Sequence, residues 1–178
     1  MDKPLYLIVG ASGSGKDYIV DKLCKELNKA RVISRTTRPS RGKNDLHIFV
    51  DDDTALKELP FSIAQSDYNG YQYYVLHKDV DEADFYIVDV KGVRSLRNEK
   101  VLGYHWLKRD IVTVFIKSPW YVRVWHMLKR GDKLKSIINR LKLDRKEFKN
   151  FVGDLEFKHS NEMYKYFTNK FKKEISNG

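Results

Sequence analysis

A chain of 178 residues, 42% hydrophobic and 13% aromatic, is long enough to bury one full core and too short for two. A single cysteine, Cys24, excludes an internal disulfide and fits a reducing cytoplasmic compartment. No apolar run is long enough to span a bilayer, and Met1-Asp2-Lys3-Pro4 leads straight into a strand, so neither a membrane partner nor a signal peptide is expected.

The formal net charge of +10 raises nucleic acid as a partner, but its distribution weakens that reading. Residues 31–45 carry five Lys/Arg against one Asp, and residues 118–150 carry ten against three acids. Two basic segments suit a site holding several phosphate groups as well as they suit a duplex, and a solvated basic face remains the alternative for the second.

In chain order, Leu5-Tyr6-Leu7-Ile8-Val9 reads as a buried strand, and Gly10-Ala11-Ser12-Gly13-Ser14-Gly15-Lys16 follows it with the spacing G-x-x-x-x-G-K. Three glycines let successive N–H groups turn toward an anion, with Lys16 as a point charge on the outer phosphates. A helix from about Asp17, with Ile19, Val20, Leu23, Cys24 and Leu27 on one face, would add its positive end. The position after the lysine, ordinarily a Ser or Thr whose hydroxyl meets Mg²⁺, is Asp17. Two readings of it stay open, a variant metal ligand and a first-turn carboxylate with no metal role.

Arg31 to Ser34 is short and β-prone, and Arg35, Arg38 and Arg41 then share a loop with Ser34, Thr36 and Thr37 that is able to grip an anion. Leu46 to Val50 predicts a strand, and Asp51-Asp52-Asp53-Thr54 caps a short helix through Glu58. Phe61 to Ala64 and Tyr71 to Leu76 predict two strands joined at Asn69-Gly70, a small antiparallel module crowded with Tyr68, Tyr71, Tyr73 and Tyr74.

Phe85-Tyr86-Ile87-Val88-Asp89 predicts a central parallel strand closed by a carboxylate. A helix follows Gly92, and Ile111 to Ile116 is another buried strand. Ser118-Pro119 opens a further helix in N-cap and first-position order. Leu134, Ile137, Ile138, Leu141 and Phe148 form an apolar stripe near Arg130, Arg140 and Arg145, a helical segment suited to close over a nucleotide. Met163, Tyr164, Phe167, Phe171 and Ile175 mark a terminal amphipathic helix. The five histidines have no metal-ligand spacing.

These motifs together resemble the guanylate kinase family of P-loop nucleoside monophosphate kinases. Its arginine-rich phosphate loop looks like Ser34-Arg35-Thr36-Thr37-Arg38-Pro39-Ser40-Arg41-Gly42, its I-D-x-x-G segment looks like Val88-Asp89-Val90-Lys91-Gly92, and its lid is similar to Arg130-Gly131 followed by Ile137 and Arg140. The resemblance implies an α/β, P-loop NTPase-type three-layer fold with a central, mainly parallel sheet. The core would be residues 1–33, 84–117 and 151–178, the β-rich acceptor-binding insertion 34–83, and the helical lid 118–150.

By that resemblance the chain is a kinase moving the γ-phosphoryl of ATP to GMP, dGMP or a related nucleoside monophosphate, with Mg²⁺ as cofactor, working as a monomer or homodimer. Gly10, Ala11, Ser12, Gly13, Ser14, Gly15, Lys16 and Asp17 would bind ATP, and Lys16, Arg130 and Arg140 would be catalytic. Ser34, Arg38, Arg41, Gln65, Tyr71, Tyr73 and Asp89 would bind the acceptor, and Asp17 and Asp89 the metal.

The chain departs from the family at the base-reading positions. Phe61-Ser62-Ile63-Ala64-Gln65 lacks the family's glutamate and offers Gln65 instead, Tyr71-Gln72-Tyr73 replaces Y-G-T/S, and His47 aligns with a phosphate-contacting tyrosine. Relatives with Asp after the P-loop lysine act on ribose 1,5-bisphosphate or deoxynucleoside monophosphates, so a sugar-phosphate kinase is an alternative. A non-catalytic guanylate-kinase-like interaction module is another.

Overall fold

An unbroken apolar run makes a strand that must be covered on both faces, and Leu5–Gly10 forms such a strand, β1, with every residue buried. The computed structural model describes residues 3–40, 42, 46–68, 70–101 and 109–176. β1 pairs in parallel with β6 (Phe85–Ile87) on one side and β7 (Ile111–Ile116) on the other, and β8 (Leu155–Phe157) extends the sheet beyond β7 in the order β6-β1-β7-β8. All three pairings are parallel, so each strand is separated from the next by a crossover.

Helix α1 (Lys16–Leu27) and the terminal helix α6 (Ser160–Ser176) cover one face. Their Ile19, Val20, Leu23, Met163, Phe167 and Phe171 pack with Tyr6, Ile8, Phe85, Val114 and Ile116, and the rings of Phe85 and Phe167 meet edge to face at 5.2 Å. Cys24 adjoins this core half-buried, and burial pushes its thiol up to about 11. Leu7, Val9 and Tyr86 point to the other face and pack against Val90, Val93 and Leu96 of helix α3 (Val90–Val101) and against Ile63, Ala64 and Val75 of a second sheet. Helices lie on one face, and α3 with the second sheet on the other, giving a three-layer α/β arrangement.

The second sheet has the order β3-β2-β5-β4, from β2 (Arg35–Thr36), β3 (Ile48–Phe49), β4 (Ser62–Tyr68) and β5 (Tyr71–Leu76). It is not purely antiparallel, because β2 and β3 run parallel. The strand expected over 46–50 shrinks to two exposed residues, and the one expected over 31–34 becomes a lone bridge from Arg31 to Phe85, with β2 lying inside the arginine loop instead. Phe61 closes a short 3-10 turn, and β4 starts after it with a bulge between Ser62 and Ala64. Helix α2 (Asp52–Glu58) is capped as expected, the Asp51 carboxylate accepting the Thr54 N–H at 2.6 Å.

Helices α4 (Trp120–Lys129) and α5 (Leu134–Glu147) are joined through Gly131 and pack against each other. Pro119 is the N-cap of α4 and not its first residue, so the predicted start is displaced by one. The apolar stripe on α5 is only partly a core face, since Ile137 is buried while Leu134 and Ile138 are exposed. β8 had no counterpart among the expected elements, because three residues are too few to show alternation. No helix among the described residues is long and apolar enough to cross a membrane.

Candidate functional site

The carboxyl ends of β1, β6 and β7 open onto one edge of the parallel sheet, where open α/β sheets hold ligands. Gly10 to Lys16 fills that edge between β1 and α1. Gly13 has φ 76° and Gly15, the N-cap of α1, has φ 84°, backbone states that side chains disfavour. At Gly13 there is also no room, since a Cβ would stand 2.5 Å from the Arg123 carbonyl oxygen. The Ser14 N–H donates to Ala11 O at 3.1 Å and closes the loop on itself.

The loop is braced from behind by α4 and α5. Arg123 Nε donates to Ser12 O at 3.0 Å, and the Ser118 hydroxyl donates to Ser14 O at 3.2 Å. His126 Nδ1 lies 2.7 Å from Gly13 O, a contact that requires the tautomer protonated at Nδ1 because a carbonyl only accepts. The Asp144 carboxylate accepts the Ser12 N–H at 3.1 Å and pairs with Arg123 at 2.6 Å. Burial pulls the Arg123 guanidinium below its ordinary value, and Asp144 opposes that shift.

Two cavities flank the loop. The larger, about 830 Å³, is lined by Gly13, Gly15, Lys16, Asp17 and Arg130, with His159 to Asn161 at the start of α6 forming its far wall. The smaller, about 520 Å³, is lined by Gly10, Ser34, Arg38, Gln65, Tyr73 and Asp89, together with His47, Tyr86, Glu147 and Phe148. Ser12, Lys16 and Arg140 line both, so the cavities meet at the loop and two cations.

Of the arginine loop, Arg38 alone among the described arginines reaches the smaller cavity; it is buried, and its Nε donates to the Tyr73 hydroxyl at 2.9 Å. Arg35 turns the other way, into an ion pair with Asp79 at 2.9 Å and Glu58 at 3.4 Å, and is structural. Arg41 lies outside the described residues. Tyr71 lines neither cavity: it stands opposite Tyr68 beside the hairpin turn, 37% exposed, and Tyr73, two residues further from the turn, faces Arg38 instead. Ala11 and Ser14 are buried within the loop and line neither cavity.

Arg130 is held by both oxygens of Asp132, at 3.0 and 2.6 Å, which keeps its own pKa up and that of Asp132 below the usual carboxylate range. The Asp89 carboxylate takes the Gly92 N–H at 2.7 Å and so caps α3 while lining the smaller cavity. Glu147 accepts the Val90 N–H at 3.3 Å, and burial, with Asp89 and Asp144 nearby, raises its pKa. Asp17, 69% exposed, sits 3.7 Å from Lys16 on the larger cavity. No group of three or more His, Cys, Asp or Glu among the described residues could hold a metal by itself.

Arg123, His126, Asp144 and Glu147 were not among the expected site residues. Asp144 and Glu147 follow Arg140 on α5 at spacings of four and seven, one helical face, which was the available signal. Arg123 and His126 carried none, because the carbonyls they meet lie more than a hundred residues away and Arg123 reaches Asp144 only once α4 is packed on α5.

No family model and no curated protein matches the chain. Among solved structures it is similar to the guanylate kinase from Anaplasma phagocytophilum, at 19% identity over 97% of this chain and 87% of that one, with a TM-score of 0.56. It is also similar to an uncharacterized protein from Eubacterium ventriosum, at 13% identity over 97% of this chain and 99% of that one, with a TM-score of 0.53. The chain therefore has a guanylate kinase-like fold.

Proposed function

We propose that this chain is an ATP-dependent nucleoside monophosphate kinase, transferring the γ-phosphoryl of ATP to GMP, dGMP or a related nucleoside monophosphate. The observation that carries the reading is the meeting of the two cavities at Ser12, Lys16 and Arg140. In-line phosphoryl transfer needs donor and acceptor on opposite sides of a cationic junction, and each cavity falls in the size range of a small-molecule site.

ATP occupies the larger cavity, its phosphates on the loop N–H groups and Lys16. The acceptor occupies the smaller one, its phosphate on Arg38, with Tyr73 holding that guanidinium and Ser34 beside it. Tyr86 and Phe148 line this cavity and favour a planar base over a bare sugar phosphate, and Gln65 supplies an amide for the base edge. Arg140 and Arg130 stabilise charge on the group in flight, and the α4–α5 segment serves as the lid. Both cavities are built from one chain, so a monomer suffices and a homodimer is compatible.

The residues present also fit magnesium. An ion that takes most of its oxygens from water and nucleotide phosphates needs one or two protein carboxylates, and Asp17 offers one on the donor side with Asp89 on the acceptor side. Bound with ATP, Mg²⁺ would polarise the phosphoryl oxygens.

The test is coupled ADP release from ATP and Mg²⁺ across GMP, dGMP, AMP, dTMP, CMP, UMP and ribose 1,5-bisphosphate. Turnover with a guanine nucleotide is expected, falling at least about 10³-fold in Lys16→Ala. Full activity in that variant would sink the site assignment. Turnover with ribose 1,5-bisphosphate alone would move the acceptor to a sugar phosphate, which Asp17 and the missing glutamate would then explain.

A further inference from the structure

Asp144 stands out among the titratable groups because it is buried, ionically paired and unused by any step above. It lies one helical turn beyond Arg140 on α5, so both side chains leave the same face. One oxygen accepts the Ser12 N–H at 3.1 Å and receives Arg123 at 2.6 Å, and the other lies 3.4 Å from the Ser12 hydroxyl. Arg123 in turn donates to Ser12 O at 3.0 Å. Three elements, the phosphate loop, α4 and α5, are thus tied at one residue of the loop, Ser12, through one carboxylate.

Among the described residues Arg140 has no comparable hydrogen-bonded tie to the loop; with the Arg130 hydrogen bond, its charge helps to hold the Asp132 carboxyl down. Among the described residues its hydrogen bond goes to Ser136 on the same helix, at 3.4 Å. Its place at the junction of the two cavities is therefore set by where α5 sits against the loop; Glu147 ties this helix to Val90 of α3, and Asp144 ties it to the loop itself. We propose that Asp144 is a positioning residue, anchoring α5 to Ser12 so that Arg140 is held over the shared junction where the phosphates of the nucleotide would lie. This rests on the phosphoryl-transfer reading above. A loss of alignment of the order of 1 Å at such a junction costs about 10²-fold in rate.

The test is a double-mutant cycle between Asp144→Ala and Arg140→Ala, read as ATP affinity by titration calorimetry and as turnover in the ADP-release assay. If Asp144 acts through Arg140, Asp144→Ala weakens ATP about tenfold and turnover about 10²-fold in the native background, and less than about twofold in each measure once Arg140 is gone. Equal losses in both backgrounds would overturn the proposal, and so would a lowered melting temperature with unchanged affinity.

Because Asp144→Ala leaves the part-buried Arg123 guanidinium without its carboxylate, the paired replacement Arg123→Met with Asp144→Leu is the second variant. It is expected to recover thermal stability and not ATP affinity, since the Ser12 N–H still lacks its acceptor; recovery of both would assign Asp144 a purely structural role. The calorimetric cycle separates the two readings. A chain that binds ATP, shows the non-additive cycle and turns over no acceptor would refute the kinase and sustain the anchor. A chain that does not bind ATP at all would overturn both.

Discussion

Gly13 and Gly70 share nearly the same backbone torsion, φ 76° and 78°, and differ in what surrounds them. A Cβ at Gly70 meets nothing within 4 Å, whereas at Gly13 it would stand 2.5 Å from the Arg123 carbonyl oxygen and 3.1 Å from its carbon. Gly70→Ala therefore carries the left-handed strain alone, about 1–2 kcal/mol. Gly13→Ala carries that strain and must also push α4 away from the glycine loop. The displacement breaks the Arg123–Ser12 contact at 3.0 Å and the His126–Gly13 contact at 2.7 Å, each worth about 1 kcal/mol and more for the charged donor. The expected total is about 3–5 kcal/mol. Equilibrium urea unfolding of the native chain and both variants gives the two costs, and calorimetry shows whether ATP affinity falls only in Gly13→Ala. Equal costs for the two substitutions, or an unchanged ATP affinity in Gly13→Ala, would refute the account of how α4 braces the loop.

Arg38→Ala should raise the acceptor KM by about 10- to 150-fold, the loss of one charge-assisted phosphate contact of about 1.5–3 kcal/mol, while leaving the ATP KM nearly unchanged; an effect confined to ATP would mean the two cavities are assigned the wrong way round. Tyr73→Phe removes the 2.9 Å bond that aims Arg38 and should move the same constant by about fivefold. The Cys24 thiol, pushed up to about 11, stays protonated at pH 8. Its alkylation there should run about 10²-fold slower than that of a free cysteine and rise tenfold per pH unit until the folded pKa is reached. A rate equal to a free thiol's would place Cys24 outside the core that α1 and α6 form against the parallel sheet.

Much of this molecule is legible in short stretches of chain. The apolar run of β1, the glycine spacing after it and the helical period of α1 each follow from interactions within a dozen residues, so the strand, the glycine loop and the helix are where their pattern says they are. The Asp51 cap and the paired strands β4 and β5 are local in the same sense. The two-residue β2 and β3 and the three-residue β8 are not, because a strand that short exists only where a neighbouring strand supplies its hydrogen bonds.

The arginine loop shows the limit most plainly. Its residue types announce anion binding, but nothing in their order says that Arg35 turns toward Glu58 and Asp79 while Arg38 turns toward Tyr73, since Arg35 sits in a two-residue strand that exists only through its pairing and Arg38 lies beyond its end. Local pattern determined that this chain folds around a glycine-rich loop at the edge of a parallel sheet. Packing decided that Ser12, Lys16 and Arg140 line both cavities, and that Arg123 and Asp144 close behind the loop. Those contacts join residues over a hundred positions apart, and their geometry comes from the stacking of layers and not from any spacing along the chain.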